Sequence, residues 1–312
     1  MERRNQSSVS EFILIGFSSH PDQPILLFLV FLTIYTIILL GNLTIFFTIR
    51  LDSRLHTPMY FFLSILACVD ICFTSTTVPK LLADLLSVEK AISFSNCFIQ
   101  LHFFASFGNM GSFLLGIMGF DRYVAICHPL HYMQIMRRQL CVSLVLCAWV
   151  IVSLHSSVHS VLASKLDYCG SNEIHHFFCD LPPLLKLSCS DTNANELLLF
   201  TETTVILGAP LICILISYIL IVMVILKIKS TEGRTKAFST CFSHLTCTVL
   251  FYGPVLFTYI RPSTVYSPEK DVGISVMYTV VNSMLNPFVY SVRNNDMKEA
   301  LKKVKSKIQW CR

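Results

Sequence analysis

Charge is what this sequence has least of. Only 14% of its 312 residues are Asp, Glu, Lys or Arg, against ~25% in a typical soluble domain. A soluble chain of this length needs a polar exterior, and this one has too little charge to build it. The sequence also lacks an internal repeat, a low-complexity tract and a second, polar domain. The missing repeat counts against the paired halves of many transporters. Residues Met1 to Pro24 are polar and mixed, without the short apolar core and small-residue cleavage site of a secretory signal. The first apolar block is therefore expected to insert as an uncleaved anchor. No convergent catalytic set is visible, which counts against a membrane enzyme, and no residue pattern asks for a cofactor.

What the chain has instead is apolar residues, 54% of the total, gathered into long blocks. A hydrocarbon core ~30 Å thick takes ~20 apolar helical residues to cross. Seven blocks meet that need: Ile25 to Ile49, Pro58 to Leu82, Phe98 to Ile126, Leu140 to Ala163, Leu197 to Leu226, Ala237 to Ile260 and Val272 to Val292. Barrel strands need only ~9–11 residues and alternate in polarity, which these blocks do not. The expected fold is an all-α membrane protein, a bundle of seven transmembrane helices in one domain spanning 1–312.

Lys and Arg in short loops set orientation. Most of the 24 cations fall on the side that holds the C-terminus, so that end is expected in the cytoplasm and residues 1–24 outside the cell. Asn5-Gln6-Ser7 is then a glycosylation acceptor on the outer side. The tail, 293–312, places Met297, Leu301, Val304 and Ile308 at spacings of three and four with lysines between. That pattern is a basic amphipathic helix suited to an anionic leaflet, with a solvated tail as the plainer reading. The expected location is the plasma membrane, with the bilayer as solvent. Nucleic acid is not an expected partner.

Four cysteines fall on the outer side: Cys97, Cys169, Cys179 and Cys189. In an oxidising compartment they should pair, and four cysteines allow three connectivities. The run His175-His176-Phe177-Phe178-Cys179-Asp180 has metal-ligand types. A disulfide-bonded cysteine is no thiolate ligand, so no metal site is assigned there.

Local motifs narrow the class. The third block ends Met118-Gly119-Phe120-Asp121-Arg122-Tyr123-Val124-Ala125-Ile126-Cys127, and the second is preceded by Leu55-His56-Thr57-Pro58-Met59-Tyr60. The sixth opens Lys236-Ala237-Phe238-Ser239-Thr240-Cys241-Phe242-Ser243-His244, and the seventh closes Met284-Leu285-Asn286-Pro287-Phe288-Val289-Tyr290. In this order they resemble the vertebrate odorant receptors, a branch of the rhodopsin-like G-protein-coupled receptors. The likeness runs along nearly the whole chain. It departs from the usual pattern at Gly119 and Phe120, where Ala-Tyr is common, and at Ser283, where a proline often stands.

The resemblance implies roles for the costly polar residues inside the spans. It implies that Asp121 and Arg122 hold a resting state, with Arg122 turning toward a G protein on activation; the alternative is a pair that merely anchors the helix. Tyr123 belongs to the same motif. Asp70 is implied to join Asn42 and Asn286 in a polar hub, the alternative being a protonated, hydrogen-bonded acid. Pro287 lacks a backbone donor and implies a hinge near Tyr290, which with Tyr218 lines an opened crevice. The family pattern pairs Cys97 with Cys179, leaving Cys169 with Cys189.

Glu202 stands 16 residues before Tyr218, roughly 24 Å along a helix rising 1.5 Å per residue. That is pocket depth in this family, so Glu202 meets either a ligand or a neighbouring helix at His155 or His159. Depth along the other spans adds Phe104, Gly108, Asn109 and Ser112 on the third, Thr203 and Ile206 on the fifth, Tyr252, Val255, Phe257 and Tyr259 on the sixth, and Thr279 on the seventh. The resemblance implies a receptor for small, mostly apolar odorants that activates a stimulatory olfactory G protein and raises cyclic AMP. A chemosensor for other metabolites fits the same residues, and a transporter or channel is the distant alternative.

Overall fold

The computed structural model describes residues 9–17, 24–228, 230–260, 268–293 and 295–310. Seven long helices make a bundle: α1 Pro24–Leu51, α2 Pro58–Leu86, α3 Phe94–Cys127, α4 Arg138–Ser164, α5 Asn193–Lys227, α6 Thr231–Ile260 and α7, residues 268–293. A tail helix, α8, follows at Asn295–Trp310. Among the described residues, six helices are long and apolar enough to cross a bilayer, and α6 adds the shorter apolar stretch Cys241–Phe257.

The helices overrun the apolar blocks because their ends sit in polar surroundings that hydropathy alone does not mark. At α3 the helix begins at Phe94 rather than Phe98, since Ser93 caps it by accepting from the Asn96 N–H at 3.3 Å. At α2, Pro58 takes the first helical turn, where its missing N–H costs nothing.

Solvent for this bundle is lipid. α1 leaves Leu26, Leu29, Leu40 and Phe47 exposed, a continuous apolar surface that water would not tolerate. α3 is the axis, packed against α2, α4, α5 and α6. Close approach of α5 depends on Gly116, where an added Cβ would lie 3.0 Å from Pro210 Cβ.

The fold is not wholly helical. Glu11–Leu14 (β1) pairs antiparallel with Ala91–Ser93 (β2) and parallel with Glu173–Ile174 (β3). This small sheet covers one end of the bundle, where Phe12 is fully buried among Phe94, Phe98 and Tyr168. Disulfides join Cys97 to Cys179 and Cys169 to Cys189 there, with Cα atoms 5.5 and 6.0 Å apart. That end is called the disulfide end below. The opposite one, carrying Arg122, is called the arginine end.

Candidate functional site

Under the sheet lies a cavity of about 70 Å³, small beside the ~300–1,000 Å³ of pockets that hold drug-sized ligands. A ligand of more than a few heavy atoms has to push its walls apart. Of the residues placed here by depth, Phe104, Gly108, Asn109 and Val255 line it. Phe73 of α2, His159 of α4, Asp180 of the following loop and Tyr278 of α7 line it too. Phe73, His159 and Asp180 stand on α2, α4 and the loop, from which depth takes no wall, and on α7 depth takes Thr279 rather than its neighbour Tyr278.

Other candidates sit elsewhere. Ser112 is fully buried, and its Oγ lies 2.6 Å from the Tyr252 hydroxyl, joining α3 to α6. Thr279 donates to the Ser275 carbonyl at 2.6 Å. Among the described residues Ser112, Tyr252, Ile206 and Thr279 are not cavity walls. Phe257 is exposed on α6. The side chains of Glu202, Thr203 and Tyr259 lie outside the described residues, as does Asn5.

The loop between α4 and α5 roofs the cavity. Phe178 packs on Phe104 with ring centroids 4.3 Å apart. His176 is buried between Phe177 and Phe178, and its Nε2 lies 3.0 Å from Ser275 Oγ on α7. Burial holds its imidazole down at about 3. Gln100 ties the roof to α3, accepting from the Cys179 N–H at 2.9 Å. Among the described residues no group of three or more His, Cys, Asp or Glu side chains converges as a metal site.

Below the cavity lies a polar hub. Asn286 Nδ2 donates to Asp70 Oδ2 at 2.8 Å, and the Ser283 hydroxyl donates to Asp70 Oδ1 at 3.0 Å. Asn42 joins through the backbone instead, donating to the Ser283 carbonyl at 3.2 Å and to Ile38 at 3.0 Å. The direct Asn42–Asp70 pairing is thus replaced by one routed through Ser283, a residue sequence reading marked only as a departure. Phe73, Gly108 and Phe251 line both the upper cavity and a smaller one over Asp70, Asn282 and Asn286. The two cavities thus share three wall residues.

At the arginine end, Arg122 donates to Asp121 Oδ2 at 3.3 Å, and the Tyr132 hydroxyl donates to Asp121 Oδ1 at 2.8 Å. Burial, reinforced by the neighbouring Asp121, pushes the Tyr132 phenol well above its ordinary value, so it keeps the proton it donates. Tyr123 lies outside this pair, its hydroxyl 3.2 Å from His128 Nε2. His244 of α6 bridges two helices: Nε2 is 3.0 Å from the Leu115 carbonyl on α3, and Nδ1 is 2.9 Å from the Tyr218 hydroxyl on α5. A carbonyl only accepts, so Nε2 carries a proton and Nδ1 is left to accept from Tyr218. The Cys241 carbonyl competes for that phenol proton at 3.3 Å. Tyr290 is buried on α7, two positions past the exposed Phe288, and Pro287 lies inside the same helix.

A sequence model of the olfactory receptor family matches residues 31–307. The chain is 55% identical over 304 residues to olfactory receptor 1f45 of Rattus norvegicus, covering 97% of both chains. It is 52% identical over 304 residues to olfactory receptor 1C1 of Homo sapiens, again 97% of each. With human olfactory receptor 1F1 it shares 50% over 308 residues, 99% of each.

Proposed function

The chain belongs to the olfactory receptor family, and on that premise we propose that it binds small, mostly apolar odorants inside the bundle and signals through a G protein of the stimulatory olfactory type. It is a multi-pass membrane receptor rather than an enzyme. The observation that carries the proposal is the shared wall: Phe73, Gly108 and Phe251 border both the upper cavity and the hub around Asp70.

The mechanism is population shift. A ligand that fills the cavity better when α6 has moved favours that arrangement by its differential affinity alone. Pressure on Phe251 and Val255 acts on α6, which hydrogen bonds to α3, α5 and α7 restrain. Ser112–Tyr252 holds it below the cavity. Leu115–His244–Tyr218 holds it at the arginine end. Release of the His244 link, together with Tyr218–Cys241 and Ser243–Val289, frees the inner end of α6 and uncovers Arg122, now buried against Asp121. Asp121, Arg122, Tyr123, Tyr218, Asn286, Pro287 and Tyr290 form the switch, with Asn42 and Asp70 in the hub. The ligand contacts proposed are Phe104, Gly108, Asn109 and Val255 in the resting cavity, with Ser112, Glu202, Thr203, Ile206, Tyr252, Tyr259 and Thr279 reached as it opens.

The proposed orientation places the arginine end in the cytoplasm, where most of the 24 Lys and Arg residues lie, and Asn5 outside as a glycosylation acceptor. The division proposed is 1–24 outside, 25–292 in the bundle and 293–312 as an inner tail. Arg122→Ala tests the coupling step. It should reach the cell surface at wild-type level yet lose ligand-evoked cyclic AMP. A preserved response would refute the role of the arginine.

A further inference from the structure

Outside the bundle core, at the disulfide end, a larger cleft of about 480 Å³ opens between α2, α3 and β2. That volume falls within the ~300–1,000 Å³ of small-molecule pockets, whereas the upper cavity holds about 70 Å³. None of the residues lining the cleft lines the upper cavity. Its inner wall includes buried Gln100, whose amide donates to the Thr76 carbonyl of α2 at 2.8 Å while accepting from the roof at Cys179.

The walls are sorted by depth. α2 runs toward the disulfide end and α3 away from it, so Lys80, Ser93 and Asn96 stand at the outer rim. Ile99 and Phe103 stand lower on α3, apolar and exposed, on a bundle whose solvent is lipid. Among the described residues that line the cleft, Lys80 is the one charged group and there is no carboxylate. Its ammonium has three N–H donors and gives one to Asp84 Oδ1, its one hydrogen-bond partner among the described residues. Asp84 also feels Lys90, so that corner holds two cations to one acid. The Ser93 hydroxyl accepts from the Asn96 N–H and keeps its own proton to give. Asn96 is exposed, and its side-chain amide adds further donors.

We infer that this cleft is a second binding site, for a single-chain amphiphile with a carboxylate head. The head shares the Lys80 ammonium with Asp84 and accepts from Ser93 and Asn96, since a carboxylate offers about four acceptor sites and no donor. The chain lies down α3 over Ile99 and Phe103, with the bilayer on its open side. Asn96 and Phe103 stand seven residues apart, ~10 Å along the helix and the length of about eight chain carbons. A phospholipid brings two longer chains, more than a cleft of about 480 Å³ takes in. The occupant bridges α2 and α3 beside the Gln100 tie, so binding stiffens the disulfide end without entering the upper cavity. The inference is independent of what the upper cavity binds.

The test uses the full chain in phosphatidylcholine nanodiscs at about pH 9, where the carboxylate is ionised. The probe is decanoate carrying a diazirine in its chain. Photolysis should label α3 between Ile99 and Phe103, and unlabelled decanoate should compete about tenfold better than decanol. Asn96→Asp puts a negative charge on the rim at an exposed position in the first turn of α3, where the helix favours an acid. Labelling should fall about tenfold in that variant, while its melting temperature without probe stays at the wild-type value. Lys80→Gln should abolish labelling; Asn96→Asp carries the test if removing the partner of Asp84 gives no folded protein. Label confined to the walls of the upper cavity, or spread evenly over the lipid-facing helices, overturns the inference. So does equal competition by decanol, or labelling unchanged in Asn96→Asp. Competition by added phosphatidylglycerol but not by decanoate would give the cleft to a phospholipid phosphate and overturn it as well.

Discussion

The Ser283 hydroxyl of α7 donates to Asp70 Oδ1 of α2 at 3.0 Å, while its backbone carbonyl accepts from Asn42 of α1. One residue thus ties three helices where a proline is common in the family pattern. Ser283→Ala deletes a donor from a buried carboxylate and should cost ~1–3 kcal/mol of stability. Melting of the purified protein in detergent should show it, with Ser283→Thr close to wild type. An alanine variant that melts with wild type would mean that Asn286 alone satisfies Asp70.

His244 gives a second expectation. Its imidazole is the one described side chain that hydrogen-bonds both α3 and α5 from α6. His244→Phe fills the space and removes both bonds, weakening the resting arrangement by ~1–3 kcal/mol. Since ~1.4 kcal/mol is tenfold in a two-state population, ligand-independent cyclic AMP should rise several-fold at matched surface expression. Basal activity equal to wild type would show that the link does not restrain α6.

These two sites mark what the sequence discloses and what it does not. The spans are legible because charge is missing from long blocks, a property of composition that needs no tertiary information. Phe104, Gly108 and Asn109 were found by depth and periodicity along α3, and they line the cavity. Ser112 shares their face but sits a turn deeper, where Tyr252 takes its hydroxyl. Nothing local to Ser112 reveals that partner 140 residues away. The strands β1 to β3 are two to four residues long and come from three separate parts of the chain, so no local pattern marks them. The π-helical turns Glu202–Leu207 and Met277–Val281 carry no sequence signal either. Asp180 is not legible because the loop that carries it is set by tertiary packing, and His159 is legible only as a possible neighbour of Glu202 rather than as a cavity wall.

Gly16 tests whether the N-terminal segment is clamped over the cavity. An added Cβ would lie 2.6 Å from Phe177 Cβ, closer than carbon atoms approach without something moving. Gly16→Ala should therefore lift the segment or shift the roof, at ~1–3 kcal/mol. The neighbouring amides report it, since Ile13 N–H donates to Asn172 and Ile15 N–H to Ile174, both near 2.9 Å. Hydrogen exchange at those two amides should quicken by tenfold or more. Unchanged protection in the variant would mean that Phe177 yields freely and the clamp is absent.

The roof should also loosen in acid, through His176. Burial among Phe177, Phe178 and Ser275 holds its imidazole down at about 3, from the ordinary 6.5. The folded loop thus refuses a proton that the unfolded chain accepts below 6.5. Stability rises with pH wherever the unfolded state binds more protons. The contribution is therefore complete above about 6.5 and is lost progressively as pH falls toward 3. The limiting slope for one proton is ~1.4 kcal/mol per pH unit. His176→Gln keeps a polar group for Ser275 but cannot titrate, so its melting temperature should fall less steeply between about pH 7 and about pH 5. The comparison removes the shared contribution of the other titrating groups, because it takes the difference between two slopes in the same buffers. Parallel slopes in the two proteins would show that His176 gains no proton on unfolding, and the buried, neutral imidazole would have to be given up.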